Sequence, residues 1–117
     1  MKTILNIGRD IGDHPNALSL REILGAVIGF GIKVDALRVI DIDGAEGCVV
    51  VESSDADSCN LYGLAALLGQ DCIAVYDPIA REGTLIGPKA GTWGEFNPAY
   101  FWDINGRVLA PPVAVAA

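Results

Sequence analysis

NLYGLAALLGQDCIAVYDPIAREGTLIGP, residues 60–88, reads as a short helix, a glycine stop, a buried strand, a turn and another strand. Leu61, Leu64, Ala65 and Leu68 recur at helical spacing, and Gly69 follows as a stop. Residues 72–76 (CIAVY) form an apolar run of strand length. After the turn-rich residues 77–83, a further strand is predicted over 84–87. Gln70-Asp71-Cys72 falls between helix and strand, where open α/β folds tend to place ligand chemistry.

Working outward toward the N-terminus, Ser53 to Asp57 offers several caps for this helix, predicted over 57–68. Residues 48–52 and 34–42 read as strands, and the connection between them, residues 43–47, carries the Asp-Gly hairpin signal. Ser19 and Glu22 match a capping box at the start of a helix over 20–28. Its expected apolar face is Leu20, Ile23, Leu24, Val27 and Ile28, and Gly29-Phe30-Gly31 ends it. Residues 3–7 read as the first strand and residues 8–16 as a polar loop.

The order is βαββαβ plus one strand. It predicts an α+β, ferredoxin-like antiparallel sheet with two helices on one face. Residues 1–109 are read as one domain, with an aromatic C-terminal extension from about residue 91. Residues 110–117 are read as a loose tail. Two helices leave the other sheet face open. Trp93, Phe96, Tyr100, Phe101 and Trp102 concentrate five of the eight aromatic residues in that extension. Either the extension folds over the open face, with Asn105-Gly106 turning a last hairpin, or neighbouring subunits pack there.

The chain has 117 residues, 51% of them hydrophobic, with a mean hydropathy of +0.39. That surplus in a small domain suggests burial between subunits. No apolar run is long enough to span a membrane, and residues 1–5 are too short a start for a signal peptide. Cys48, Cys59 and Cys72 lack metal-type spacing and are an odd number, which favours reduced thiols and a cytoplasmic setting. The net charge is −7. No Lys or Arg lies between Arg38 and Arg81, a window holding Asp41, Asp43, Glu46, Glu52, Asp55, Asp57, Asp71 and Asp77. Unaided nucleic-acid binding is therefore not expected. The acidity suits a cationic ligand or a basic protein, or serves only as a solvated face.

No phosphate loop, dinucleotide fingerprint or nucleophile elbow is present. His14, the single histidine, sits in a polar loop and is expected at the surface. Carboxylates remain. Glu46 is placed at the end of a hairpin and Glu82 between the last two strands. Brought together, within a subunit or across an interface, they would hold a cation or work as acid and base; apart, they are ordinary turn residues. Asp71 caps the sheet end or binds ligand. Tyr76 stacks on a base or packs.

Residues 70–76 (QDCIAVY), a loop, and then residues 83–87 (GTLIG) resemble the helix–strand–hairpin of phage S-adenosylmethionine lyases, formerly called hydrolases. Residues 49–69 fit the same layout, as does FWDINGR at 101–107, so the resemblance covers about half of the chain. It implies a PII-like trimer with sites between subunits and no metal or cofactor. It also implies cleavage of S-adenosylmethionine into methylthioadenosine and homoserine lactone. Glu46 and Glu82 are the positions matching that family's two site glutamates, with Gln70, Asp71 and Tyr76 as further substrate-binding candidates. A phage-encoded enzyme of this kind would act in the host cytoplasm.

The implied chemistry suits an acidic, base-poor chain. The substrate's carboxylate attacks its own γ-carbon and expels a neutral thioether. Charge is annihilated, so a water-poor pocket and a folded substrate favour the reaction without a base. A glutamate then anchors the ammonium or ribose; placed against the sulfonium it would stabilise the ground state instead. Two other classes remain: a nucleotide- or signal-binding module without turnover, and an acidic inhibitor of a basic partner in a host defence system.

Overall fold

The computed structural model describes residues 3–8, 19–42, 45–54 and 58–109; the side chains of residues 41, 42, 45, 46, 58 and 59 are outside that description. The elements are β1 (Thr3–Gly8), α1 (Leu20–Gly29), β2 (Ala36–Ile42), β3 (Ala45–Ser53), α2 (Ser58–Leu67), β4 (Ile73–Asp77) and β5 (Glu82–Ile86). They form one antiparallel sheet of five strands in the order β2-β3-β1-β4-β5. The fold is α+β with the ferredoxin-like βαββαβ connectivity, lengthened at one edge by β5.

Both helices end by the same device. Gly31 and Gly69 adopt positive φ (77° and 67°) just past α1 and α2. Ile32 N–H then reaches the Val27 carbonyl, and Gln70 N–H reaches the Ala65 carbonyl. Gly31 N–H and Gly69 N–H close the shorter bonds to Ile28 and Ala66. This satisfies carbonyls that a helix end leaves open, and glycine takes the left-handed position without a Cβ clash. At the start of α1 the Ser19 hydroxyl accepts from Glu22 N–H at 3.1 Å, the first half of the expected capping box.

The helices share one face of the sheet. Leu5 and Ile7 of β1, Val49 and Val51 of β3 and Ile73 of β4 pack with Ile23 and Val27 of α1 and with Leu61, Leu64 and Ala65 of α2, joined by Leu68 just beyond α2. All four apolar positions expected of α2 are buried. α1 differs from expectation in one place. Ile23 and Val27 are buried, whereas Ile28 is exposed. Phe30 lies so close to Gly63 that a Cβ there would sit 2.8 Å from the ring, and this tight contact joins the helices.

The other face is covered by the chain's own C-terminal extension. Ile4, Cys48, Val50 and Tyr76 are buried beneath Leu109, with Phe96, Phe101, Trp102 and Ile104 against them. Of the two ways to cover this face, the extension is the one the structure shows. Asn6, buried in the middle of the sheet, donates from Nδ2 to the Trp102 carbonyl and accepts at Oδ1 from Trp102 N–H, each at 3.0 Å. Its side-chain amide thus pairs with a backbone residue much as a neighbouring strand would. Arg38 Nε donates to the Ile104 carbonyl at 2.6 Å. The extension closes on itself through a Trp102–Val108 bridge and an Asp103 N–H to Arg107 carbonyl bond of 2.7 Å. Gly106, with φ of 78°, turns this final hairpin at the expected Asn105-Gly106 step.

β3 (Ala45–Ser53) starts three residues before the expected strand at 48–52. Ala45 pairs with Ile42, so only residues 43 and 44, outside the description, connect β2 and β3. Asp41 faces Glu46 while Ile40 faces Cys48, which leaves Gly47 as the extra residue of a bulge. Glu46 is therefore a strand residue and not a loop residue. His14 and the expected tail at 110–117 lie outside the described residues. Among the described residues no helix is long and apolar enough to cross a membrane.

Candidate functional site

A concave surface of the described chain lies along β5. An open cleft of about 510 Å³ runs between β5 residues Gly83, Thr84 and Leu85 and the segment from Ala90 to Phe96. A second, of about 250 Å³, continues past Gly83 and Phe96 to Glu82, Arg81 and Pro98. β5 is the last strand of the sheet, so its outer edge forms one wall. A 3₁₀ turn at Ala90–Trp93 and the chain after it form the other.

Local sequence explains how the cleft is set. The Asp77 carboxylate accepts from Ile79 N–H at 2.9 Å and Ala80 N–H at 3.2 Å, which folds the β4–β5 turn. Arg81 closes that turn at φ of 56° and delivers Glu82 to the strand start opposite Asp77. Phe96 lies against Gly83, where a Cβ would meet its ring at 2.4 Å. The same ring stacks on Tyr76 (centroids 6.1 Å apart, 20° between planes) and on Phe101 (5.1 Å, 14°). Phe96 is thus both cleft lining and part of the layer beneath the extension. Glu82 and Glu95 are exposed carboxylates of this cleft, with Arg81 beside Glu82.

The opposite wall hangs on Asp71. Its carboxylate accepts from the Trp93 indole N–H at 2.9 Å, and its carbonyl accepts from Lys89 N–H at 2.9 Å. Gly87 passes so close that a Cβ there would lie 2.5 Å from the Asp71 carbonyl oxygen. Asp71, expected to cap the sheet end or to bind ligand, here fastens the cleft wall to the sheet.

The remaining expected site residues divide between the two ends of the sheet. Gln70 is buried and donates from its side-chain amide to the Gly8 carbonyl. Tyr76 is buried under Phe96, and burial pushes its phenol up from the ordinary value, with Arg81 opposing and Asp77 reinforcing the rise. Glu46 sits two residues before Cys48, which pairs with Gly8 at one end of the sheet. Glu82 faces Asp77, next to the Tyr76–Ile4 pair at the other end. At about 3.3 Å per residue and about 4.8 Å per strand, the two backbone positions are roughly 25 Å apart. Within one chain Glu46 and Glu82 do not meet. The reason was already implicit in the element order: β3 and β4 run in the same direction, so the start of one and the end of the other lie at opposite ends.

Glu95 and Phe96 were missed as site residues. The sequence marked Phe96 only as one of a cluster of aromatics, and what signals the cleft is the contact of that ring with Gly83. Cys72 is half-buried, and its thiol is raised by burial and by the adjacent Asp71 charge, so it stays protonated and poorly nucleophilic. Among the described residues no cluster of His, Cys, Asp and Glu is arranged to hold a metal ion.

The cleft offers two carboxylates, the Arg81 guanidinium, an aromatic ring and a wall of glycine backbone. That combination suits a small organic cation that also carries a carboxylate and a planar or apolar portion. Its openness keeps each charge contact in water, where a pair contributes about 0–1 kcal/mol. Comparison of the chain with models of protein families, with curated proteins and with solved structures returns no match.

Proposed function

We propose that the protein binds a small organic cation in the β5 cleft, that this ligand is S-adenosylmethionine, and that the chain acts on it as a lyase. The observation carrying the reading is that Glu82 and Glu95 share the cleft surface with Phe96. The sequence resemblance at residues 70–87 supplies the identity of the substrate. An oxygen of the substrate's carboxylate attacks its γ-carbon, the γ-carbon–sulfur bond breaks, and the electron pair leaves with sulfur. Methylthioadenosine and homoserine lactone result, with no proton transfer, metal or cofactor required. Glu82 and Glu95 hold the ammonium and ribose ends, and the open cleft becomes the water-poor pocket that charge annihilation needs only where a neighbouring subunit closes it over the folded methionyl chain. Glu46 enters the cleft only from a neighbouring subunit, as the homotrimer implied by the resemblance would allow. The cytoplasm is where such a substrate would be met.

A second reading, binding without turnover, is favoured by a separate observation. Gln70, Asp71 and Tyr76 are tied into the fold by Gly8, Trp93 and Phe96, which leaves fewer groups for ligand. One experiment separates the two. Protein mixed with S-adenosylmethionine is expected to release methylthioadenosine on chromatography, and heavy-oxygen water should leave the first lactone unlabelled. Homoserine labelled at its hydroxyl oxygen would show attack by water instead. Absence of product together with calorimetric binding that Glu82→Gln weakens would select the second reading. Absence of both would discard the ligand.

A further inference from the structure

We propose that Arg81 reads the carboxylate of the ligand, so that the β5 cleft selects an α-amino-acid head over a simple cation and holds that head at its Arg81–Glu82 end; this rests on the ligand reading above and adds the ligand's orientation. Arg81 lines the smaller part of the cleft, about 250 Å³, with Glu82, Gly83, Phe96 and Pro98. It is exposed, and it forms no salt bridge among the described residues. The Asp77 carboxylate of the same turn accepts instead from Ile79 N–H and Ala80 N–H. Arg81 is also the one described residue other than glycine with a positive φ, 56°. Glycine closes such a turn without a Cβ clash. The fold therefore gains nothing from arginine at this position, and strain of this kind collects where a side chain has a task.

Charge points the same way. A site for a cation alone is weakened by a guanidinium next to its carboxylate. The chain has only 8 Lys and Arg against 15 Asp and Glu, and one of the eight stands in this cleft beside Glu82. A guanidinium fork for a carboxylate and a carboxylate for an ammonium match the two charges of an α-amino acid. Gly83 and Phe96 line both parts of the cleft, and beyond them the larger part, about 510 Å³, carries Glu95 with Gly91 and Gly94. The amino-acid head thus lies at the Arg81–Glu82 end and the nucleoside at the Glu95 end. Arg81 takes one carboxylate oxygen and leaves the other to attack the γ-carbon. It stabilises the ground-state carboxylate, whose charge is lost in the transition state, so its contribution belongs in KM.

Arg81→Gln tests this by the sign of its effect on two probes, S-adenosylmethionine and its decarboxylated form. Binding of the first is read as KM, or by calorimetry if no product forms; binding of the second, which lacks the attacking carboxylate, is read by calorimetry. Both probes carry net positive charge, so removing a cation that merely stands nearby tightens both. If Arg81 reads the carboxylate, Arg81→Gln is expected to weaken S-adenosylmethionine about five-fold and leave the decarboxylated form unchanged or tighter. Arg81→Lys should keep part of the wild-type preference. Arg81→Gly should repeat the loss and melt a few degrees above the wild type, because it relieves the backbone at this turn. Both probes tightened, both weakened alike or both unmoved in Arg81→Gln would overturn the proposal and leave the cation reading standing. So would a wild type that binds the two probes equally. Arg81→Gly melting well below the wild type would assign the residue to the fold and overturn the proposal as well. A wild type that binds neither probe discards the ligand reading itself, and this proposal with it. If Arg81→Gln fails to fold, Arg81→Gly decides on the same two probes.

Discussion

The two faces of the sheet are closed by different physics. On the helix face, Leu5, Ile7, Val49, Val51 and Ile73 meet Ile23, Val27, Leu61 and Leu64 in a continuous apolar layer. On the other face, a non-helical extension is held at a few polar points: Asn6 to Trp102, Arg38 to Ile104 and Asp71 to Trp93. Aromatic stacking fills the space between those points. Helices satisfy their own backbone and can lie on a sheet through apolar contact alone. An irregular segment must find partners for its amides, and a buried Asn in the sheet supplies them. The face closed by packing should therefore resist opening as a unit, and the face closed by pins should be separable.

The largest expected effect tests the packed face. Leu64→Ala should cost about 2–5 kcal/mol, the range for a buried leucine that leaves a cavity. The urea midpoint read by circular dichroism is expected to fall as one cooperative transition, while fluorescence of Trp93 and Trp102, which reports the pinned extension, changes at or before it. Fluorescence of the extension persisting after the circular dichroism of the helices is lost would break the comparison.

Asn6→Ala tests the pinned face. It removes both bonds to Trp102 and leaves a peptide group facing an apolar surface, at a cost of about 2–3 kcal/mol. The loss should be local. Amide exchange over residues 96–109 is expected to accelerate while protection in α1 and α2 persists. Uniform loss of protection would mean that the extension belongs to the same cooperative unit as the helices.

Cys48 offers a titration of the same face. Its thiol is buried beneath the extension, and burial pushes its pKa up to about 12 from 9.0, with the Ile7 backbone hydrogen bond pulling the other way. The folded chain keeps this proton where the unfolded chain has lost it. Its stabilising contribution is therefore full below pH 9 and declines by about 1.4 kcal/mol per unit between pH 9 and 12. Unfolding midpoints measured from pH 8 to 11 should drop more steeply for the wild type than for Cys48→Ala. Equal slopes would show that the thiol reaches solvent under the extension.

The smallest effect belongs to Asp71. Asp71→Ala should cost under about 1 kcal/mol, because the hydrogen bond to Trp93 is exposed. Trp93 emission should nevertheless shift, and Asp71→Asn should restore it because the amide oxygen still accepts. An unchanged spectrum in Asp71→Ala would remove Asp71 as the fastener of the cleft wall.

The local elements are written in short-range pattern. Helical spacing at Leu61, Leu64, Ala65 and Leu68 and the glycine stops at Gly31 and Gly69 reflect interactions within a few residues, so they are legible without tertiary context. The βαββαβ order was legible for the same reason. Which partner covered the second sheet face was not, because the Asn6–Trp102 pairing joins residues 96 positions apart and no local pattern marks it. The site divided in the same way. Acidity and the Glu82 turn could be read along the chain, whereas the contact of Phe96 with Gly83 and the separation of Glu46 from Glu82 depend on strand direction and register. The fate of Asp71 was likewise decided only when residues 87–93 folded back over it. Periodicity encodes which face of an element is apolar. Only the closed three-dimensional chain decides what that face meets, because the meeting is fixed by long-range packing and by the need to pair buried polar groups.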